Sequence, residues 1–311
     1  MEFLSSLKSY LHLQRDINLS TEEALNRKIH ELYYLQQVNQ LTKETLTSSQ
    51  RGVVSTSHCN EEIIVSLTTY GKRLYEVYLA IESIMQGTIK PNRIILWISD
   101  EYVNYDLPQT LLLQKKRGLE IEYCKDIRSY TKLIPALKKY PRSSIITIDD
   151  DLIYPIDLVE NLLSAHKKYE ESVCANRVHL LPHDWGTNYI PLNQCDMYTG
   201  EMCQSHMFLA EGYAGVLYPP INYDDEMFNE SVFLDVCKFA DDVWFKAMEL
   251  KSNIPVVYAN VNRTIEEFLV NPKVQKRALK NINNGEQQMN DVQIKAVFEK
   301  YDLFNKMMAI S

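Results

Sequence analysis

From residue 61 onward, short apolar runs alternate with segments of helical periodicity, and no other feature limits the fold as strongly. Buried strands are predicted at residues 63–67, 93–99, 119–123 and 144–148. Helices are predicted at residues 74–85, 108–116, 130–139 and 158–169. Strands that alternate with helices of this length form a mainly parallel sheet with helices on both faces. The expected fold class is therefore α/β, with a mixed, mainly parallel sheet flanked by helices.

Residues 1–58 lack this alternation and are predicted to form a helical extension followed by a linker. Apolar side chains recur there at helical spacing, at Leu25, Ile29, Leu32, Leu35 and Val38. Ser20 followed by Glu23 resembles a capping box that opens the helix, and the polar residues 47–57 resemble a linker. The helix could pack on the core, pair with another subunit or lie on a membrane. The α/β domain is expected to occupy residues 59–311.

Three consecutive carboxylates, Asp149, Asp150 and Asp151, directly follow the fourth predicted strand. Parallel sheets bind ligands at the carboxyl ends of their strands, so the triplet lies where a ligand site is expected. Alternation along a strand would turn Asp149 and Asp151 to one side and Asp150 to the other. Two carboxylates on one side suit Mg²⁺ or Mn²⁺ that also binds phosphate oxygens. A solvated acidic turn is the alternative.

A second acidic pair, Asp241 and Asp242, lies about ninety residues later beside Trp244 and other apolar groups. A carboxylate in such a partly dry environment has a raised proton affinity and can act as a general base. A helix N-terminus, where Asp is favoured as a cap, explains the pair equally well. Gly212 and Gly215 bracket a tract where backbone could approach a ligand closely, although a plain turn accounts for it too.

Composition and motifs exclude several other classes of protein. The formal net charge of −8 argues against nonspecific nucleic-acid binding, which needs a basic face. Six scattered cysteines without a CxxC pair make a disulfide framework or a zinc site unexpected. Neither GxGxxG nor GxxxxGK[ST] occurs, so neither a Rossmann dinucleotide fingerprint nor a P-loop is predicted. No apolar run is long enough to span a bilayer.

Seven tracts in order resemble one enzyme family: VSLTTYGKRL at 65–74, AIESIMQ at 80–86, ILWI at 95–98, SYTKLIPAL at 129–137, IDDDLIYP at 148–155, GVLYPP at 215–220 and ADDVWF at 240–245. The chain resembles bacterial GT-A glycosyltransferases of the family-2-like kind that build capsule, lipopolysaccharide O-antigen or related surface glycans. The resemblance covers residues 60–302, including a closing helix from residue 289, and implies a Rossmann-like GT-A domain.

The resemblance also implies roles for individual residues. The triplet matches the family's DXD motif, so Asp149 and Asp151 would bind the metal. Asp242 or Asp241 would be the catalytic base. The donor nucleotide-sugar would contact Thr68, Tyr70, Arg73, Lys132, Asp149 and Asp150. The acceptor would contact Glu211, Gly212, Tyr213, Gly215 and Trp244. Many relatives use a late histidine as a further metal ligand, but no histidine follows His206 here.

The implied activity is metal-dependent, inverting transfer of a sugar from a nucleotide-sugar, with UDP preferred, to a glycan or lipid-linked glycan hydroxyl. The implied cofactor is Mn²⁺ or Mg²⁺, and nucleic acid is not an expected partner. A cytoplasmic location is expected, with peripheral contact at the inner face of the membrane and a homodimer through the N-terminal helix both open. The alternatives are a nucleotidyl- or phosphotransferase with the same acids, and a noncatalytic glycan-binding protein with a transferase fold.

Overall fold

The structure is a computed structural model that describes residues 2–56, 61–260, 268–270 and 289–310. The predicted domain boundary between residues 58 and 59 lies outside these residues. The strands are β1 Ile63–Thr68, β2 Arg93–Ser99, β3 Leu119–Cys124, β4 Ser144–Thr147, β5 Leu152–Ile153, β6 Val173–Ala175, β7 Val178–Leu180, β8 Gln204–Ser205, β9 Phe208–Ala210, β10 Val216–Tyr218, β11 Val256–Tyr258 and β12 Leu269–Val270. The helices are α1 Glu2–Thr47, α2 Tyr78–Met85, α3 Gln109–Lys116, α4 Ile134–Lys139, α5 Leu158–Lys168, α6 Glu230–Val236, α7 Asp241–Lys251, α8 Met289–Lys300 and α9 Leu303–Ala309.

Within the described residues, one sheet has the strand order β3-β2-β1-β4-β10-β6-β11-β8. Strands β1 to β4 pair in parallel, whereas β10 runs antiparallel between β4 and β6. The prediction of a mixed, mainly parallel α/β sheet is thus confirmed, as are the four predicted strands. Because β10 is reversed, the residues that precede Val216 lie beside Thr147, at the edge where β4 ends. This reversal brings the glycine tract to the aspartate triplet.

Apolar residues are buried on both faces of this sheet. Along β1, Ile64 packs in one hydrophobic cluster, whereas Ile63, Val65 and Leu67 pack in another. A strand alternates its side chains between faces, so a continuous apolar run suits a strand covered on both sides. Two predicted helices begin later than expected, because 3-10 helices at Gly71–Tyr75 and Arg128–Lys132 occupy their first turns. Both 3-10 helices carry residues of the candidate site.

Helix α1 is longer than the sequence patterns predict. It runs without interruption from Glu2 to Thr47, so the prediction that Ser20 opens the helix is wrong. The sequence from residue 2 to residue 47 contains neither glycine nor proline, and nothing in the backbone therefore ends the helix earlier. Near its carboxyl end, Tyr34 and Leu41 join a small apolar cluster with Leu79, Ile153 and Leu269.

The segment after α1 packs on the α/β body and is not a free linker. Val53 is buried, and the backbone N–H of Gly52 donates to the Arg117 carbonyl at 2.9 Å. Arg117 also forms a buried two-armed ion pair with Glu82, in which both nitrogen–oxygen distances are 2.8 Å. Its Nε donates to the carbonyl of Gln50 at 2.8 Å. A single guanidinium therefore ties the end of the N-terminal extension to α2 and α3.

Candidate functional site

The aspartate triplet lies in the turn that follows β4, beyond its last residue, Thr147. Arg73 contacts two of the acids, with Nη1 2.6 Å from Asp150 Oδ1 and Nη2 3.4 Å from Asp151 Oδ2. The first acid, Asp149, instead accepts a hydrogen bond from Lys132 Nζ at 2.9 Å. In these contacts Arg73 groups Asp150 with Asp151, because strand alternation does not extend into a turn. The metal-binding role of Asp149 and Asp151 stays a prediction.

Asp150 is an anchoring residue in this arrangement. It is 7% exposed, and its second oxygen accepts a hydrogen bond from the Thr69 hydroxyl at 2.6 Å. The neighbouring Thr68, predicted to bind the donor, uses its hydroxyl to donate to the Trp97 carbonyl at 3.1 Å within the sheet. Thr69, which the sequence interpretation did not select, is therefore the hydroxyl that meets the triplet. The sequence indicated Thr69 only by its position, one residue beyond β1 at the edge where parallel sheets bind ligands.

The three carboxylates of the triplet lie close enough together to repel one another. Burial, followed by the charges of Asp149 and Asp150, raises the pKa of Asp151 to about 6, against the lowering effect of Arg73. Asp149 and Asp151 are oxygen donors suited to Mg²⁺ or Mn²⁺, which is commonly held by one or two carboxylates and completed by phosphate and water. No group of three or more potential metal-binding side chains occurs in the described part of the chain. Two carboxylates alone would leave most of the coordination positions of such an ion to phosphate and water.

Lys132 connects this centre with the second acidic pair. Its side chain is 6% exposed, and Nζ lies 3.1 Å from Asp241 Oδ2 as well as 2.9 Å from Asp149 Oδ1. The Asp241 oxygen is buried and has no aligned hydrogen-bond partner. Burial would lower the pKa of Lys132, but the charges of Asp149, Asp241 and Asp242 outweigh it and raise that pKa. Lys132 therefore stays positively charged between the aspartate triplet and the pair Asp241 and Asp242.

Asp242 is an acid of the site whose proton affinity is strongly raised. It lies in the first turn of α7, and one oxygen accepts a hydrogen bond from the backbone N–H of Gly212 at 3.0 Å. Burial, and then repulsion from Asp241, raises the pKa of Asp242 to about 8, while Lys132 lowers it. A carboxylate with such a pKa can take up a proton near neutral pH, as a general base must.

Gly212 brings its backbone unusually close to these charged groups. A Cβ atom at this position would lie 2.5 Å from Asp242 Oδ1 and 2.9 Å from Lys132 Nζ. A side chain at this position would therefore require Asp242 or Lys132 to move. Gly215 has a different role, since its φ of +89° disfavours any residue with a Cβ. Gly215 shapes the turn into β10, and Gly212 contacts the acids.

Tyr154, which the sequence interpretation did not select, joins the two loops of the site. Its buried hydroxyl accepts a hydrogen bond from the backbone N–H of Asp149 at 2.7 Å. The same hydroxyl donates to the carbonyl of Tyr213 at 2.9 Å. The residue follows β5 in the IDDDLIYP tract, but no pattern in the sequence indicates that its ring turns back toward Asp149.

The predicted acceptor side contains a carboxylate, Glu211, that an arginine and a histidine contact. Glu211 pairs with Arg177, and His179 Nε2 lies 2.9 Å from its other oxygen. Burial would raise the pKa of Glu211, but these two partners outweigh it and lower that pKa. The Arg177 guanidinium lies 5.7 Å from the centre of the Tyr213 ring. Arg177 and His179 thus fix the carboxylate beside the glycine tract.

Tyr70 and Trp244, which are both predicted ligand contacts, differ strongly in solvent exposure. Tyr70 is 58% exposed, and the Arg73 guanidinium lies over one face of its ring, 5.4 Å from the ring centre. Trp244 is fully buried and donates its indole N–H to the Met227 carbonyl at 3.2 Å. The structure does not bring Trp244 to the site, because two residues of helix turn it about 200° away from Asp242.

No protein-family model and no curated protein matches the chain. Among solved structures, the chain is similar to a UDP-glucose pyrophosphorylase from Acinetobacter baumannii, with 10% sequence identity and a TM-score of 0.41 over 75% of this chain and 98% of the other. A UTP-bound form of the enzyme from that organism gives 9% identity and a TM-score of 0.39 over 65% and 86%. Similarity at this level transfers neither a fold family nor an activity.

Proposed function

We propose that this protein acts on nucleotide-sugars, and that it is a GT-A-like glycosyltransferase that moves the sugar to an acceptor hydroxyl. The observation that carries the proposal is Asp242, a half-buried carboxylate whose pKa is raised to about 8. Through Lys132, Asp242 belongs to the same cluster of charges as the aspartate triplet. Transfer to a hydroxyl requires a base, and departure of a nucleoside diphosphate requires compensation of its negative charge. This cluster offers both within one edge of the sheet.

On the donor side, the exposed Tyr70 ring and the Arg73 guanidinium offer a surface for the nucleotide. Asp149 and Asp151 would hold Mn²⁺ or Mg²⁺, which would supply electrostatic stabilisation of the diphosphate when bound. The two acidic positions belong to different ion pairs, one with Lys132 and one with Arg73. Each cation keeps its carboxylate oriented and partly neutralised in the protein alone.

On the acceptor side, Asp242 takes the proton of the acceptor hydroxyl. The acceptor oxygen forms a bond to the anomeric carbon, and the bond from that carbon to the diphosphate oxygen breaks. The bonding electrons leave with the nucleoside diphosphate, and the proton remains on Asp242. One base is sufficient for such an inverting displacement. The N–H of Gly212 holds the carboxylate of Asp242 in place.

Nucleotidyl transfer is the second candidate, since it could use the same acids and divalent ion. Its nucleophile is a phosphate oxygen, which is already an anion at neutral pH. A base such as Asp242 would then have no proton to remove. The raised pKa of Asp242 therefore favours transfer to a hydroxyl.

The test is a panel of nucleotide-sugars incubated with the protein and Mn²⁺, with and without glycan acceptors. Release of nucleoside diphosphate that depends on Asp242 supports the proposal. Formation of pyrophosphate from a nucleoside triphosphate and a sugar 1-phosphate would establish nucleotidyl transfer instead. Binding of a glycan without turnover of any nucleotide-sugar would indicate a noncatalytic protein.

Nucleotide and metal are expected to stabilise the protein together more than either does alone. With UDP and Mn²⁺ at about 100 times the dissociation constant, linkage gives about 2.7 kcal/mol, and we expect the melting temperature to rise by about 5 °C. Because two carboxylates bind the ion without a protein-only cage, Mn²⁺ alone should change it little. Thermal melts of the wild type and Asp151→Asn check this. An equal rise in the variant would contradict the assignment.

Gly212→Ala is expected to lower turnover about 10²-fold, the scale associated with misplacing a catalytic group by about 1 Å. The new methyl would meet Asp242 Oδ1 at 2.5 Å and Lys132 Nζ at 2.9 Å, so at least one of them must move. Turnover per folded molecule is the measurement. Gly186→Ala is the matched control, because its Cβ would crowd Phe304 at 2.7 Å, in a part of the chain that supplies none of the site residues. Equal turnover in the two variants would refute the role of Gly212.

The acceptor class follows from the family resemblance, and we propose a glycan of bacterial surface polysaccharide, either free or lipid-linked. No helix among the described residues is long and apolar enough to cross a membrane. Parallel assays with soluble oligosaccharides and with lipid-linked glycans would distinguish the two forms of acceptor. Failure with both, in the presence of donor hydrolysis, would refute the acceptor class while leaving the donor assignment intact.

A further inference from the structure

Among the side chains that the structure describes, those of α1 are buried against the protein body only from Tyr34 onward. The described side chains between Ala24 and Tyr33 are all exposed, and Tyr34 is the first buried one. The stretch from residue 24 to residue 33 is about 15 Å long at 1.5 Å per residue. An isolated helix gains little stability in water, and most helices are stabilised by packing an apolar face. A partner is therefore needed for this part of α1.

The apolar side chains of α1 form two faces. Tyr34, Leu41 and Thr45 are buried against the protein body. Leu25, Ile29 and Leu32 lie roughly opposite in helical rotation and are 59%, 53% and 58% exposed. The first face is covered within the chain, but the second has no partner among the described residues. A row of exposed leucine and isoleucine on a long helix indicates an interaction surface.

The second face has a seven-residue period. Leu25, Leu32, Asn39 and Leu46 follow one another at intervals of seven, and all four are exposed. In the sequence, Leu4, Leu11 and Asn18 continue the same interval toward the N-terminus. Such a row supplies one of the two seam positions of a coiled coil, and asparagine there fixes register and a two-stranded state. The second seam position holds Lys28, Leu35 and Thr42, so the leucine row carries the pairing.

The balance of acidic and basic side chains along α1 indicates which kind of partner it binds. Residues 2–47 contain five basic side chains, Lys8, Arg15, Arg27, Lys28 and Lys43. They contain six acidic ones, Glu2, Asp16, Glu22, Glu23, Glu31 and Glu44. A helix that lies on an anionic membrane is rich in Lys and Arg on its polar face, and this near balance does not fit it. Interspersed charges of both signs suit a second, identical helix.

We propose that α1 pairs with α1 of a second copy of this chain as a parallel, two-stranded coiled coil. Leu25, Leu32 and Leu46 lie in the seam, and Asn39 faces Asn39 of the second copy. A parallel arrangement is favoured because it places the polar asparagines opposite each other. The protein is then a dimer whose two α/β bodies lie at the same end of the coil.

The mass in solution, measured by light scattering after gel filtration, tests the pairing. The wild type should have twice the chain mass, and Leu25→Glu/Leu32→Glu should have the mass of a single chain. Val292→Glu is the matched control, because Val292 is 54% exposed on α8 and outside the coil. Unchanged melting of the double variant's α/β body would show that folding is intact. A single-chain wild type, or a dimeric double variant, would overturn the proposal.

Disulfide formation tests the orientation. In a parallel coil, Leu25→Cys and Leu32→Cys each face themselves in the second copy, so both single variants should form cross-linked dimers under oxidation. In an antiparallel coil, at most one position near the crossing point could do so. The parent chain controls for its native cysteines. Cross-linking of neither variant, or vesicle binding by a single-chain protein, would contradict the parallel dimer.

Discussion

Asp242→Asn is expected to lower the rate of sugar transfer about 10²- to 10⁴-fold, the usual contribution of a general base. The amide preserves the shape of the side chain and can still accept the hydrogen bond from the Gly212 N–H, but it cannot take the acceptor proton. In the wild type, kcat should rise with pH and level off above about 8, because the base must be ionised and its pKa is raised to about 8. Steady-state rates across this pH range measure both effects.

The same substitution should increase stability, which separates it from simple damage to the fold. Asp242 has a pKa of about 8 in the folded protein against 3.8 ordinarily. Stability is therefore lost as the pH rises from about 4 to 8, since ionisation is favoured in the unfolded chain. A neutral asparagine removes this loss, and each tenfold change in proton affinity corresponds to about 1.4 kcal/mol. Full activity in the variant, or a lower melting temperature at pH 8, would argue against the assigned role.

Arg117→Met is expected to lower the free energy of unfolding by about 3–5 kcal/mol, because it leaves Glu82 buried without its cation. Glu82 is fully buried, and burial alone would raise its pKa. Hydrogen bonds from Arg117, Gln114 and Gln86 outweigh burial and lower that pKa. Denaturant unfolding at pH 7 measures the loss.

Two control variants show whether the loss arises from the unpaired charge. Replacing both partners, as Glu82→Leu/Arg117→Met, should recover most of the stability, since no buried charge remains. Lys139→Met removes the exposed pair with Glu122, whose side chains are 46% and 31% exposed, and should cost less than about 1 kcal/mol. A double variant as unstable as Arg117→Met would show that packing of the guanidinium, and not its charge, stabilises the region.

The parts of the fold that could be predicted are those encoded by local periodicity. The apolar runs that form β1 to β4 are continuous because both sheet faces are buried, and their strand boundaries agree with prediction within one or two residues. The position of the triplet after β4 followed from the strand itself. The start of α1 could not be predicted, because Ser-x-x-Glu inside a helix has the same pattern as a capping box at its beginning.

The contacts of the site depended on tertiary structure that no local pattern contains. Lys132 reaches Asp241 across more than a hundred residues, because β10 is reversed and the 3-10 helix at Arg128–Lys132 faces α7. Strand alternation could not indicate the ion pairs of the triplet, in which Arg73 contacts both Asp150 and Asp151. The family resemblance placed Trp244 on the acceptor side, but its position on α7 buries it.

The two hydrogen bonds of the Tyr154 hydroxyl limit how the site can move during a reaction at this edge of the sheet. Its hydroxyl holds the backbone of Asp149 and that of Tyr213 at once, with donor–acceptor distances of 2.7 and 2.9 Å. The turn of the triplet and the glycine tract are thereby coupled into one rigid body. Their spacing should stay constant while substrates enter and products leave. Any opening and closing of the site must then come from segments that the phenol does not hold.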